Sequence, residues 1–227
     1  MTDPSVKPRR AYDSSRRQEQ AEQTRRRILD AAVALFGREG YAATSVAAVA
    51  REAGVSVKTV YLGFETKAGL FRAAWHLALR GDRDEVPVGE QPWYREVLAE
   101  PDPVRKLRGN ARASRLVKER AGPLLAALRD GAAAEPELAA LWDRIQTDFH
   151  AHQGRIVASL ATTGAMRRDL DVAGATDVIW TLNHPAVWAL LVGERGWSPD
   201  RFERWLGDAF CLQLLEPPLG GEAAAAT

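Results

Sequence analysis

A single cysteine, Cys211, stands in 227 residues. It leaves no partner for a disulfide within the chain and fits a reducing cytoplasm better than a stapled secreted scaffold. Apolar runs of about 18 residues are missing as well, so no membrane-spanning helix is expected. The opening segment, MTDPSVKPRRAYDSSRRQEQ, carries arginines but lacks the apolar stretch of a secretory signal. No segment alternates apolar and polar residues long enough for a strand, and none repeats. Catalytic signatures are also absent: there is no glycine-rich phosphate loop, no G-x-S-x-G and no HExxH. The four histidines are scattered, and His150-x-His152 would point its rings to different faces of a helix. Neither an enzyme, a metal site nor a cofactor is expected.

What remains is an ordinary globular composition, 46% hydrophobic and 27% charged, in a chain long enough to bury a sizeable core. The overall charge of +1 hides an asymmetry. Residues 1–72 hold 13 Lys and Arg against 8 Asp and Glu, a net of +5, and the rest holds 18 against 22, a net of −4. A basic head on an acidic body suits phosphate binding by the head alone; ordinary sampling of surface charge is the competing reading.

The periodicity predicts an all-α chain. Residues 1–17, with Pro4, Pro8 and two Arg-Arg pairs, read as a disordered basic arm. Residues 18–80 read as a DNA-binding domain with a connecting helix. Its first helix, from about Arg17 to Arg38, carries Ile28, Leu29, Ala32, Leu35 and Phe36 on one face and ends at Gly40. Short helices follow over about 46–52 and 57–63, and a fourth begins near Thr66. Residues 81–101 read mainly as a linker, with a helical turn around Trp93 to Leu98. Within a helical domain over 81–216, Asp102-Pro103 starts a helix that Gly122-Pro123 breaks or kinks. Glu135-Pro136 opens another helix to about Thr162, and Pro185 interrupts the apolar stretch 175–193. Ser198-Pro199-Asp200 starts a final helix, leaving 217–227 as a disordered tail.

Residues 44–64, TSVAAVAREAGVSVKTVYLGF, form the densest pattern. Val46, Val49 and Ala50 share one helical face, Gly54 supplies a turn, and Ser56 can cap a second helix whose Val60 and Phe64 anchor inward. Two short helices joined by a glycine-containing turn place the second in a DNA major groove. The residues then expected to meet DNA are Thr44, Ser45, Ser56, Val57, Lys58, Thr59, Tyr61 and Lys67, as phosphate, base-edge or thymine-methyl contacts. Plain capping and solvent-exposed decoration are the alternatives. Arg9, Arg10, Arg16 and Arg17 can thread a minor groove or remain a solvated tail.

The run Phe36-x-x-x-Gly40-Tyr41, Thr44-Ser45-x-x-x-Val49-Ala50-x-x-Ala53-Gly54-Val55-Ser56-x-x-Thr59-x-Tyr61-x-x-Phe64-x-x-Lys67-x-x-Leu70 resembles the DNA-binding domain of the tetracycline-repressor (TetR) family over about residues 20–72. Gly63 and Ala48 depart mildly, each standing where a larger residue is usual. The resemblance implies a ligand-responsive transcriptional repressor that binds a near-palindromic double-stranded operator as a homodimer and is released by a small-molecule effector. An activator or ligand-independent regulator of the same fold, or an all-α enzyme or effector-binding module with a vestigial helix-turn-helix, stays open.

For the effector pocket, Trp142, Phe149, His150, Trp180, Asn183, His184 and Trp188 combine aromatic bulk with sparse polar groups. Trp205, Phe210 and Leu212 of the last helix are candidates for a four-helix dimer interface. Core packing within the protomer is the competing reading for all ten.

Overall fold

A computed structural model describes residues 10–80 and 88–217. It is all-α, with ten α-helices among the described residues. Helix α1 spans Arg10–Ala43, and its stripe from Ile28 to Phe36 is buried as the spacing requires. The backbone leaves helical geometry at Gly40 (φ 81°), so Tyr41 to Ala43 form a short turn. Residues 10–17, expected in the disordered arm, instead continue α1. Few of them are apolar, but Ser15 donates to Glu19 one turn on (3.2 Å), local support of the kind that carries a solvated helix. Residues 1–9, including Arg9, lie outside the described part.

The two short helices fall at Val46–Glu52 (α2) and Val57–Phe64 (α3), followed by α4 at Lys67–Arg80. A turn of 3-10 helix over Val88–Glu90 leads into α5, Pro92–Ala99, a fuller helix than the single turn expected there. Helix α6 runs unbroken over Pro103–Ala132, capped by Asp102, whose carboxylate accepts from the Arg105 N–H at 2.7 Å. Pro123 therefore does not end it. The ring deprives one carbonyl of its donor, but it packs on α1 so closely that a Cβ at Gly37 would stand 3.2 Å from Pro123 Cβ. Tertiary contact holds the helix through the defect. Helix α7 spans Pro136–Ala161, α8 Val172–Leu182, α9 Pro185–Trp188 (continued by a π-helical stretch, Ala189–Glu194), and α10 Pro199–Leu214. Past α10 the chain turns back along the α7–α8 loop. There the Arg167 N–H donates to Leu214 (2.9 Å) and the Glu216 N–H to Ala165 (3.1 Å).

The core is organised by α6. Its C-terminal half contributes Leu124, Leu125 and Leu128 to a cluster with α1, α2, α3, α4 and the start of α7. Phe36, Tyr41 and Phe71 form an aromatic triad within that cluster, with ring centroids 5.0–5.7 Å apart. Its N-terminal half, with Leu107 and Ala111, joins Val157, Ile179, Phe202, Leu206 and Phe210 in a second cluster. Arg115 fastens α6 to α10 through Glu203 at 2.7 Å. Head and body thus share one helix, whose two halves pack into two separate apolar clusters.

Candidate nucleic-acid interface

The joint between α2 and α3 follows from hydrogen bonds at its ends. Ser45 accepts from the Ala48 N–H (3.1 Å) and so caps α2. At the other end the Val55 N–H reaches the Ala50 carbonyl (2.9 Å) and the Gly54 N–H the Arg51 carbonyl (3.2 Å), the paired bonds of a Schellman stop. That stop needs a residue at positive φ, and Gly54 sits at 67° without the clash a Cβ brings. Ser56 then caps α3 by accepting from the Thr59 N–H (3.1 Å), and the two hydroxyls lie 2.8 Å apart.

With Val60 and Phe64 buried, α3 has its other side exposed. Lys58, Tyr61 and Leu62 lie at i, i+3 and i+4, with Val57 beside them. Leu62 is 77% exposed, an aliphatic tip beside the half-exposed Val57 on a face that also offers an ammonium and a phenol. It was not among the expected contacts; its position four residues after Lys58 is the signal that finds it. Ser45, Ser56 and Lys58 are exposed and Thr59 is partly covered.

Two expected contacts sit differently. Thr44 is fully buried, and its hydroxyl donates to the carbonyls of Gly40 (2.8 Å) and Leu35 (3.2 Å). Its side chain pins the end of α1 rather than facing outward, because the kink at Gly40 leaves carbonyls there without helical partners. Lys67 is half-buried, its ammonium 4.2 Å over the Tyr41 ring and 3.4 Å from the Ala42 carbonyl. Burial lowers its pKa from the ordinary lysine value. Arg25 braces α3 from α1: its guanidinium stacks on Phe64 at 4.6 Å and donates to the Gly63 carbonyl at 3.4 Å. Arg16 and Arg17 are exposed along the N-terminal part of α1.

A cavity of about 570 Å³ opens between α4, α5, α6 and α7, its apolar walls including Trp75, Tyr94, Leu141, Ile145 and Phe149. Of the expected pocket residues, Phe149 and Asn183 line it. Trp142, His184 and Trp188 border a separate crevice of about 40 Å³. His150 pairs with Asp177 (2.9 Å) outside both, and Trp180 meets His150 and His184 edge-on. The aromatic clustering in the sequence marked the neighbouring crevice, while the cavity draws its walls from α4, α5 and the middle of α6. Lys118, Ser114, Asn110, Gln146 and Gln153 supply polar atoms there. Asn110 donates to Gln153 at 2.9 Å, and Tyr94 donates to the His152 carbonyl at 2.8 Å. Burial lowers the pKa of His152, opposed by its bond to the Asp148 carbonyl; burial and the nearby Lys118 and Arg129 charges lower that of His184.

Among the dimer candidates, Phe210 is fully buried in the protomer's own core, since it falls on the α10 face that meets α6 and α8. Trp205 is partly covered by Trp197 and Phe202, and Leu212 is 74% exposed. Among the described residues no cluster of His, Cys, Asp and Glu could hold a metal, and no helix is long and apolar enough to cross a membrane.

A capped two-helix unit with an exposed face, set on a helical body, has the geometry of a helix-turn-helix. Residues 28–74 match the family model described as bacterial regulatory proteins, tetR family. The regulator AcrR of Shigella flexneri is 33% identical over 90 residues, 40% of this chain and 39% of that protein. YvkB of Bacillus subtilis, also an HTH-type transcriptional regulator, is 38% identical over 77 residues, 33% and 40% of the two chains. The chain thus spans about two fifths of the length of the curated relatives it matches. Over the whole fold it resembles NalD of Pseudomonas aeruginosa, the secondary repressor of the MexAB-OprM multidrug efflux pump (TM-score 0.66, 24% identity, 86% of this chain and 98% of NalD). It also resembles a Saccharomonospora viridis transcriptional regulator in complex with choline (TM-score 0.68, 20% identity, 86% and 100% covered). Residues 28–74 are thus similar to the DNA-binding part of the tetR family of bacterial regulatory proteins, and the likeness to solved structures over the rest of the chain is one of fold.

Proposed function

We propose that the chain is a cytoplasmic transcriptional repressor that binds a near-palindromic operator as a homodimer and is released by a small molecule held in the cavity. The observation that carries this reading is the outward face of α3, where Lys58, Tyr61 and Leu62 stand clear of an anchored back. Lys58 supplies a phosphate or base-edge donor, Tyr61 a phosphate hydrogen bond, and Val57 and Leu62 an apolar edge for a thymine methyl. Ser45, Ser56 and Thr59 join them at the helix starts; Lys67 contributes charge from the next turn. Thr44 leaves the set of contacts. Release has a physical route, because α4 and α6 both line the cavity and both pack in the core of the head. A ligand that prefers one arrangement of these helices shifts the head between DNA-competent and released states. Leu212 and the partly covered Trp205 are the remaining candidates for the contact between protomers.

The test is an electrophoretic mobility shift on DNA flanking the chain's own coding region, across a salt series. A sequence-preferring complex that weakens steeply with salt is expected. Lys58→Ala and Tyr61→Ala should each weaken it about tenfold, since each removes an interaction of roughly 1–2 kcal/mol, with little change in melting temperature because both side chains are exposed. Binding that survives both changes rules out this face, and a solution mass equal to the 24.9 kDa monomer at micromolar concentration rules out the dimer.

A further inference from the structure

Lys118 lies at the cavity wall in the middle of α6, only 6% exposed. Its ammonium donates to the Asn183 side-chain oxygen at 2.5 Å and to the Ser114 hydroxyl, both neutral. The Phe202 ring stands 5.7 Å away. No carboxylate among the described residues lies within ion-pair distance of it. Lysine is rarely buried without a counter-charge, because desolvating an ammonium costs several kcal/mol. Lys106, buried on the same helix about three turns earlier, shows the structural solution: it directs its three donors to the carbonyls of Val97 and Leu98 and to Ser159. Lys118 has two partners where Lys106 has three, and it faces a cavity. Gln146, on the same cavity wall, has both amide atoms buried without a partner.

We infer that the cavity takes an amphipathic monocarboxylic acid, its carboxylate paired with Lys118 beside Ser114 and Asn183 and its apolar body against Trp75, Tyr94 and Phe149. The inference rests on the effector reading above and names the ligand class of that site. One buried ammonium matches one negative charge, whereas phosphate sites favour arginine forks or several backbone N–H groups. A quaternary ammonium such as the choline seen in the Saccharomonospora viridis protein would bring a second cation to a buried one. The volume, about 570 Å³, suits a ligand of drug size. Gln146 offers a donor and an acceptor to a hydroxyl or carbonyl further along that ligand.

The test uses 6-phenylhexanoate, its carboxamide and the matching 6-phenylhexyl-trimethylammonium ion, titrated against the full-length protein without DNA and followed by calorimetry and tryptophan fluorescence. The acid is expected to bind at least tenfold more tightly than the amide, with no binding of the ammonium ion. Lys118→Met should reduce affinity for the acid at least tenfold and leave the amide unchanged. Equal binding of acid and amide, preferential binding of the ammonium ion, or no binding of any probe at millimolar concentration overturns the inference. The acid-to-amide ratio on the unaltered protein decides the matter even if the variant misfolds. A mobility shift without ligand reports separately on operator binding, so the repressor reading can fail or stand independently.

Discussion

At the scale of single residues, Lys118 makes an electrostatic cost visible as a pH dependence. Burial pushes its pKa down from 10.5 to about 7. Below about pH 7 the ammonium is charged in both folded and unfolded chains, and the folded one bears the full desolvation penalty. Between about 7 and 10.5 the unfolded chain holds more protons, so this residue's contribution to stability improves as pH rises. The ligand-free Lys118→Met protein should therefore melt higher than the unaltered one at pH 6, with the gap closing toward pH 10; thermal melts at three pH values check this. Ser114 still donates to Asn183 when the ammonium is gone, so the substitution strands no polar group. None of this was legible in the sequence, where Lys118 is one of 31 basic residues. A lysine becomes exceptional only when a fold encloses it. Tyr61 and Lys58 were legible for the opposite reason: their exposure follows from one helix period measured from Val60 and Phe64.

At the scale of elements, the turn between α3 and α4 sets the aim of the outward face. A Cβ at Gly69 would stand 2.3 Å from the Phe64 carbonyl oxygen, which has no room to retreat because Thr66 donates its N–H to that same oxygen at 2.6 Å. Gly69→Ala should cost on the order of 1–3 kcal/mol in denaturant unfolding and weaken operator binding by more than that loss of folded protein explains, since α3 tilts as the turn opens. An alanine variant as stable as the parent would show that the turn yields freely. The starts of α2, α3, α6 and α10 were legible because caps and first-turn prolines are local signals. The continuity of α6 was not. Proline lowers helix propensity in a helix interior, and the packing of Pro123 and its neighbours against α1, which a sequence cannot show, offsets it.

At the scale of the molecule, helix α6, common to both apolar clusters, predicts one cooperative unfolding event. Leu124 and Leu128 belong to the same packed cluster as Val49, Phe64 and Phe71, so the head cannot open without exposing α6. Calorimetry of the full-length protein at dilute concentration should give a single transition, and two resolved peaks would contradict the coupling through α6. The sequence suggested a basic part over residues 1–72, an acidic remainder, and a linker composition over residues 81–101. It could not convey that the second half of α6 closes the interior of the first four helices, a pairing of residues some ninety positions apart.

That pairing bears on how such a molecule can be taken apart. A chimera cut near residue 80 would hand the new body a head missing the leucines it normally rests on, and hand the new head a foreign α6. The serviceable seam follows packing rather than chain order: grafting residues 20–80 calls for carrying Pro123, Leu124, Leu128, Gly131 and Leu138 along with them. Interchangeable parts in this molecule are sets of touching side chains, and one such set is split between two distant stretches of chain.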